Sequence, residues 1–241
     1  MAELLFSTDS YLREFDSSVV HVGGAHLTLE RTAFYCTSGG QPNDLGKIFS
    51  DGIEYAVIDV CRDKTSGEIL HRLDRPYAPS KSGNSPQVHG VIDWVRRYKH
   101  MRHHTALHLL SRVVLDELGN FVTSSQIYSD RARIDFDADA MPPEKIKEIE
   151  EKTNAVISKN LPVSIWFIPR NEAMEIADLI RTKVNLVPQS VEIIRIVTVG
   201  GFDQQACGGT HVKNTGEIGK LKITKTESKG AGRRRIEIAL E

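Results

Sequence analysis

The sequence predicts an α+β fold in which a small β-barrel precedes a domain of helices and strands. Residues 1 to about 90 are rich in β-type residues and turn formers, and a helical pattern is confined there to a short segment, residues 8–15. From Asp93 onward, long amphipathic segments alternate with short apolar runs. We therefore expect two domains, over residues 1–92 and 93–241.

The first domain contains short runs that are typical of strands, each bounded by Gly, Asp or Asn. Several short strands with turns between them indicate a small barrel. The polar connection over residues 77–86 is rich in Pro, Ser and Gly, and because a strand follows it we expect a loop inside this domain rather than a linker. The predicted strands are residues 26–29, 54–60 and 87–92.

A glycine-rich segment, residues 34–46, stands out in the first domain. Its centre is Ser38-Gly39-Gly40-Gln41, a tight loop with little side-chain bulk, and its exposed amides could bind a phosphate or the end of a chain. Spacing alone favours the alternative, in which the glycines only turn the chain between two strands.

The second domain contains helices and strands in alternation. Helical periodicity, Pro at helix starts and stop signals predict helices over residues 94–118, from Pro142-Pro143 to a stop near residues 160–162, and over residues 172–180, the last capped by Asn171. Apolar or alternating runs predict strands over residues 131–136, 163–168, 191–199, 218–224 and 235–240.

Composition is that of an ordinary globular chain. The 241 residues are 40% hydrophobic and 26% charged, and the formal net charge of −1 excludes a global field that would recruit nucleic acid. The three cysteines are too few for a disulfide framework, so we expect Cys36 and Cys61 to be reduced. Neither a secretory leader nor a run of membrane-spanning length is present, which predicts a cytoplasmic protein without a membrane partner.

Two short motifs predict a metal centre. His104 and His108 are four residues apart, so on a helix both imidazoles lie on one face. That spacing also occurs by chance in core and surface helices, but Cys207 and His211 lie in a glycine-containing loop that can direct a thiolate and an imidazole at one point. Three imidazoles and a thiolate form a typical Zn²⁺ ligand set.

The metal site could be structural or functional. Four protein ligands favour a closed, structural ion. The ligands, however, come from a helix and a distant loop, and Gly208 and Gly209 leave room there for a substrate. The sequence lacks the His-Glu-x-x-His glutamate, the Gly-x-Ser-x-Gly elbow and the P-loop, so it identifies no catalytic base.

A local surplus of positive charge lies near the C-terminus. Residues 213–235 hold five Lys and three Arg against two Glu, a surplus of six. Lys229, Arg233 and Arg234 are the candidates for contacts with nucleic-acid phosphates. The alternative is a solvated strand face with the same composition.

The ordered set of motifs resembles a known family. Residues 104–110 (His-Thr-Ala-Leu-His-Leu-Leu) and 207–212 (Cys-Gly-Gly-Thr-His-Val) are similar to the editing domain of alanyl-tRNA synthetase, and more closely to the freestanding AlaX editing proteins of medium length. The glycine-rich segment and residues 91–97, 133–136, 214–219 and 232–237 match further signatures of that family in order, so the resemblance covers essentially the whole chain.

The resemblance implies a translation-factor-like β-barrel followed by a two-layer α+β editing domain that contains zinc. It implies hydrolysis of tRNA(Ala) wrongly charged with serine, and possible activity on the glycyl ester. Such a site must hydrogen-bond the seryl hydroxyl, and Thr105, Thr123 and Gln126 are the candidates for that contact, with Gly208 and Gly209 lining the pocket. The alternative for each polar candidate is a bond to its own backbone.

Two other functions remain open at this point. The editing domain of threonyl-tRNA synthetase also uses paired His and Cys/His motifs, although the Ser-Gly-Gly-Gln-Pro segment and residues 215–219 favour the alanine system. A non-catalytic, zinc-stabilised tRNA-binding module is the non-enzymatic alternative.

Overall fold

The computed structural model describes residues 2–78, 86–176, 179–184, 187–230 and 232–241. The chain forms two compact units, Met1–Tyr98 and Lys99–Glu241. The division falls inside the first helix, whereas the sequence places the boundary before that helix. Most of the predicted loop over residues 77–86 lies outside the described residues.

The first unit is built on a closed six-stranded barrel, as the sequence predicts. Neighbouring strands are antiparallel and follow the order β2-β3-β7-β6-β5-β8, and β8 pairs with β2 to close the sheet. A 3-10 helix covers Leu5–Ser7. The barrel strands are β2 (Glu14–Gly23), β3 (His26–Leu29), β5 (Gly46–Ser50), β6 (Ile53–Arg62), β7 (Ile69–Leu73) and β8 (Gln87–Ile92), and β1 (Glu3–Leu4) pairs in parallel with β4 (Arg31–Thr32).

Alternating burial along the strands explains the barrel. In β6, for example, Tyr55, Val57 and Val60 are buried, and they join Leu27 and Ile48 in one apolar core. The expected helix over residues 8–15 is wrong, because its last two residues begin β2. Pairing of β2 with both β3 and β8 outweighs a weak local helical pattern there.

The glycine-rich segment contains a two-residue turn. Ser38 and Gln41 exchange backbone hydrogen bonds of 3.1 and 2.8 Å, and Gly39 and Gly40 between them have φ of 55° and 81°. Two successive positive φ values are those of a type I′ turn, which glycine adopts without the steric cost of a Cβ. Backbone geometry therefore explains why this turn contains two glycines.

A buried ion pair connects this segment to the beginning of the first helix. The Asp44 carboxylate accepts two 3.0 Å bonds from Arg97 Nε and one of 2.6 Å from the Tyr35 amide, and both Asp44 and Arg97 are fully buried. Arg97 also donates to the carbonyls of Ser10 and Ala33, at 2.9 and 2.6 Å. The guanidinium therefore holds three separate segments of the first unit.

The second unit combines α-helices with a four-stranded and a three-stranded antiparallel sheet. The sheets have the orders β14-β15-β10-β9 and β11-β12-β13. A 3-10 helix covers Thr215–Ile218. The elements are α1 (Trp94–Leu118), β9 (Val122–Ile127), β10 (Ala132–Phe136), α2 (Pro143–Ile157), β11 (Val163–Pro169), α3 (Arg170–Ala173), β12 (Ile193–Val199), β13 (Asp203–Ala206), β14 (Leu221–Ser228) and β15 (Arg234–Leu240).

Side chains of α2 satisfy the free edge of β14. Asn154 exchanges hydrogen bonds with the backbone of Leu221, at 2.8 and 2.9 Å, and Glu150 accepts the amide of Ile223. An edge strand covered in this way is protected from pairing with another chain. The predicted helix over residues 172–180 is shorter than expected, since α3 ends at Ala173; it begins at Arg170, so Asn171 lies within the helix and does not cap it. Ala177 and Asp178 lie outside the described residues.

Among the described residues, no helix combines the length and apolar character needed to cross a membrane.

Removing the buried carboxylate should destabilise the protein severely. In Asp44→Ala, Arg97 keeps its buried charge without an anionic partner, so we expect the free energy of unfolding to fall by about 3–5 kcal/mol. The matched control is Glu54→Ala, which breaks the exposed pair with Lys47 (2.8 Å) and should cost at most about 1 kcal/mol. Urea denaturation followed by circular dichroism measures both; equal losses in the two variants would contradict the role given to Asp44.

Candidate metal centre

Four side chains converge in the second unit. The ligand atoms of His104, His108, Cys207 and His211 all lie within 4.8 Å of one another. Cys207 Sγ is 3.5 Å from His104 Nε2 and 3.4 Å from His211 Nε2. These are the four residues that the sequence singles out, and the fold brings them to one point.

Each pair of donors is positioned by regular structure. His104 and His108 occupy successive turns of α1, with ring centroids 5.2 Å apart, and His211 lies 4.4 and 4.5 Å from the two rings. Cys207 follows directly after β13, where its amide donates to the carbonyl of Arg195 (3.1 Å) and its carbonyl accepts from the Arg195 guanidinium (2.6 Å). The thiol is therefore held by the sheet rather than by a free loop.

Thr105 determines the tautomer of His211. Its hydroxyl donates to the Met101 carbonyl at 3.0 Å, because a carbonyl can only accept. The same oxygen lies 3.1 Å from His211 Nδ1, which must therefore carry the proton and donate it. His211 Nε2 is then left with a lone pair facing Cys207, which is the form that binds a metal.

The Thr105 hydroxyl is fully engaged in this arrangement. Besides Met101 and His211, it accepts the amide proton of Val212 at 3.3 Å. A contact with a substrate hydroxyl, which the sequence analysis proposes for this residue, requires the exchange of one of these bonds. The structure gives Thr105 a positioning role toward His211.

Electrostatics favour a thiolate in the cluster. Burial opposes ionisation of the Cys207 thiol, but the surrounding imidazoles outweigh it and hold the pKa of the thiol well below its ordinary value. Burial, together with the imidazole of His104, holds the pKa of His211 well below its ordinary value, so that ring is neutral. The amide of Gly209 donates to Cys207 Sγ at 3.4 Å, which further favours the charged sulfur.

His108 is supported by a buried carboxylate. Asp203 Oδ2 lies 3.7 Å from His108 Nδ1, and Asp203 accepts from Arg181 (2.8 Å) and from Gln205 (2.7 Å). Burial disfavours the charged imidazole, but Cys207 and Asp203 together raise the pKa of His108 to about 9. A metal that binds this nitrogen set must displace that proton.

Sequence reasoning missed Asp203, Gln205 and Arg195. The signal that could have found the first two is strand alternation: residues 203, 205 and 207 are two apart, so in a strand their side chains share one face. Gln205 also donates to Ser111 on α1, at 3.1 Å, which ties β13 to the histidine helix. Arg195 is one strand away from Cys207, and no spacing within the sequence indicates that pairing.

The donor set fits zinc. A thiolate and neutral imidazoles are its usual ligands in proteins, and Thr105 and Asp203 supply the kind of outer support that such ligands receive. Gly208 is exposed, and a Cβ added there would meet nothing within 4 Å, so the cluster has an open side at that residue.

The other predicted pocket residues lie on β9. Thr123 has a buried hydroxyl for which the described residues supply no hydrogen-bond partner. Its neighbour Val122 donates its amide to the carbonyl of Arg181 (3.1 Å), the residue whose side chain binds Asp203. Gln126 instead pairs across the sheet with Arg133, and its Nε2 donates to the Ile127 carbonyl at 3.2 Å.

The basic candidates lie at the hairpin between β14 and β15. Lys229 forms a 2.6 Å ion pair with Glu227, and the Arg234 guanidinium donates to the carbonyl of Asp139 at 2.8 and 3.0 Å. Arg233 is exposed. The structure thus gives Lys229 and Arg234 partners within the chain.

Two family models match the chain. Residues 194–237 match the threonyl and alanyl tRNA synthetase second additional domain, and residues 7–96 match the class II (A) tRNA synthetases. The first match contains Cys207 and His211, and the second contains the glycine-rich segment.

Relatives match along the full chain. An alanyl-tRNA editing protein AlaX-M of Methanosarcina acetivorans is 40% identical over 245 residues, which cover 100% of this chain and 99% of the relative. The AlaX-M protein of Saccharolobus solfataricus is 38% identical, with 98% of both chains covered. An alanine–tRNA ligase of Pyrococcus furiosus is 41% identical over 98% of this chain but only 25% of the ligase. With such identity over nearly the whole length of both chains, this chain belongs to the AlaX-M family of alanyl-tRNA editing proteins.

Proposed function

We propose that this chain edits tRNA(Ala) in trans, by hydrolysing the ester that joins a wrong amino acid, chiefly serine and also glycine, to the tRNA. The observation that carries the proposal is the convergence of His104, His108, Cys207 and His211 beside an exposed glycine. Membership of the AlaX-M family supports the reaction class. The match of this chain to a quarter of an alanine–tRNA ligase supports an activity that belongs to the alanine system.

The reaction is the hydrolysis of an ester. Water adds to the carbonyl carbon, the bond to the ribose oxygen breaks, and that oxygen leaves with a proton; the products are a free amino acid and uncharged tRNA. A second site is needed because an apolar pocket sized for alanine rejects serine only roughly 10²-fold. A site that hydrogen-bonds the hydroxyl can discriminate by about 10⁴ or more, since its own polar groups lose their partner when alanine enters.

We assign a single Zn²⁺ to the cluster, held by His104, His108, Cys207 and His211. When bound, the ion would act as a Lewis acid that organises the substrate and water. Thr105 keeps the proton of His211 on Nδ1 by a hydrogen bond, whereas the Asp203 carboxylate, 3.7 Å from His108 Nδ1, favours a proton there by its charge. Gly208 leaves the approach to the cluster free of side-chain bulk.

Thr123 is the residue to which we assign contact with the seryl hydroxyl. A buried hydroxyl without a partner costs free energy, and a bound serine would supply the missing hydrogen bond whereas alanine would not. The backbone bond from Val122 to Arg181 places the start of β9 beside the residues that support His108. Thr105, in contrast, already has three partners.

A deacylation panel tests the function. With tRNAs charged with Ser, Gly, Ala and Thr, we expect rapid hydrolysis of the seryl ester, measurable hydrolysis of the glycyl ester and sparing of the alanyl ester.

Thr123→Val keeps the shape of the side chain without its hydroxyl and should reduce the preference for seryl over alanyl tRNA by about tenfold or more.

The outcomes separate the alternatives. Preferential hydrolysis of the seryl ester on tRNA(Thr) rather than on tRNA(Ala) would indicate the threonyl-type chemistry, and tRNA binding without hydrolysis of any ester would indicate a non-catalytic module. Unchanged selectivity in Thr123→Val would remove that residue from the pocket.

Loss of a ligand should remove the metal. Cys207→Ala is expected to abolish stoichiometric zinc, measured by elemental analysis, and to lower the thermal midpoint, because metal binding contributes to the free energy of folding. The matched control is Cys61→Ala, which removes a free thiol in the barrel unit and should leave about one zinc per chain. Native protein that lacks a transition metal would contradict the assignment, and zinc-free protein that deacylates at the native rate would exclude a catalytic role for the ion.

The glycine-rich turn should matter to editing beyond its backbone. Gly39→Ala is expected to cost about 1 kcal/mol, because φ is positive and a Cβ meets no atom within 4 Å. Gly24, in the turn between β2 and β3, has the same properties and is the matched control. Both variants should lose similar stability, whereas Gly39→Ala alone should lose seryl-tRNA deacylation per folded, zinc-loaded molecule. Equal deacylation activity in the two variants would show that the glycine-rich segment only turns the chain and has no role in editing.

A further inference from the structure

A row of three residues crosses the sheet β11-β12-β13 and ends at the metal cluster. Phe167 on β11 is paired with Arg195 on β12. The register of β12 with β13, in which Ile196 faces Ala206, continues by one residue to place Arg195 opposite Cys207. The backbone bond from Cys207 to the Arg195 carbonyl, at 3.1 Å, confirms that continuation.

Residues in such a row share one face of the sheet. Side chains directly opposite one another in antiparallel strands point the same way. Phe167, Arg195 and Cys207 therefore lie on the face that also carries Gln205, whose side chain reaches Ser111 on α1. Trp166, the neighbour of Phe167, is paired with Ile196 and points to the opposite face.

The two ends of the row are accessible and its centre is not. Phe167 is 44% exposed, whereas Arg195, on the same face, is buried with an exposure of 8%. At the other end, Gly208 beside Cys207 is exposed. Adjacent strands are about 4.8 Å apart, so Phe167 lies about 10 Å from Cys207 along the row, a separation on the scale of one nucleoside.

We propose that Phe167 is the platform on which the terminal, unpaired adenosine of the charged tRNA stacks. The inference rests on the proposed function, because it is the ester of that adenosine which the cluster receives. Bases of single-stranded nucleic acid stack on exposed aromatic side chains, and the π-face of adenine suits a phenyl ring. With the base on Phe167, the ribose crosses the protein surface that covers Arg195 and brings the acyl group to the open side of the cluster at Gly208, while the buried Arg195 guanidinium supplies positive charge from below.

The assignment explains why an edge strand carries an exposed aromatic residue at this position. Exposed apolar edges invite pairing with other chains and are usually blunted by charge. A ring that binds a base is instead required to be accessible. The stacking contact is indifferent to the amino acid, so it holds the substrate while discrimination takes place at the acyl group.

The test is a double-mutant cycle with uncharged tRNA(Ala), so that binding is measured independently of hydrolysis. The two changes are Phe167→Ala in the protein and removal of the terminal adenosine from the tRNA. Each change alone should weaken binding by about tenfold to a hundredfold, the usual loss for one stacked base. Together they should weaken binding little more than either alone, because they remove the same contact.

Two further variants serve as controls. Trp166→Ala removes a side chain of similar exposure (37%) from the opposite face and should retain wild-type affinity and wild-type dependence on the terminal adenosine. Phe167→Trp keeps an aromatic surface and should bind tRNA with about wild-type affinity, unlike Phe167→Ala. Zinc content and thermal midpoint, measured for every variant, establish that the cluster and fold are intact.

Additive effects in the cycle, or a Phe167→Ala protein that still distinguishes complete from truncated tRNA, would overturn the proposal. Wild-type protein that binds both tRNAs equally would also overturn it. If the coupling is present but no charged tRNA is hydrolysed, the platform stands and the proposed catalytic function fails. If seryl-tRNA is hydrolysed without coupling, the catalytic function stands and the platform fails.

Discussion

The second unit is organised by the need to hold three imidazoles and a thiol within 4.8 Å of one another. Such a group of titratable side chains is costly to bury unless each proton has a defined place. Thr105 fixes the position of the His211 proton, because its hydroxyl donates to the Met101 carbonyl and accepts the ring N–H. Asp203 faces His108 on the other side. These contacts connect α1 with β13 and with the segment that follows it.

The parts of this centre that follow local periodicity were predictable from the sequence. The pair His104 and His108 needs only the helical repeat, and Cys207 with His211 needs only a short loop. Asp203 needs the additional knowledge that residues 203–206 form a strand, which the short polar run Asp-Gln-Gln-Ala does not indicate. Arg195 and Phe167 depend on the register between strands, which is set by tertiary packing and not by any local pattern.

The barrel shows the same limit of local sequence patterns, which do not indicate contacts between distant segments. Repeated short strands predict its existence, whereas the short helical pattern over residues 8–15 is misleading, because the sheet partners of Glu14 and Phe15 lie far away in sequence. Asp44 and Arg97 are 53 residues apart, and nothing near either residue indicates that they meet. A buried ion pair of this kind contributes less to the net free energy of folding than to the specificity of the fold. Any folded arrangement that buries one of the two charges without the other is strongly disfavoured. It fixes where the glycine-rich segment lies on the first unit.

The two units draw their stability from different sources. The barrel closes its own hydrogen-bond ladder around one apolar core, so it requires no ligand to be complete. In the second unit, the donors come from a helix and a strand end about a hundred residues apart, and an ion that joins them closes a long loop. The free energy of metal binding is then also free energy of tertiary structure. A single four-ligand site can therefore be both structural and functional, the two roles that the sequence left open. The ligands that stabilise the unit also bring the open side at Gly208 next to the row formed by Phe167, Arg195 and Cys207.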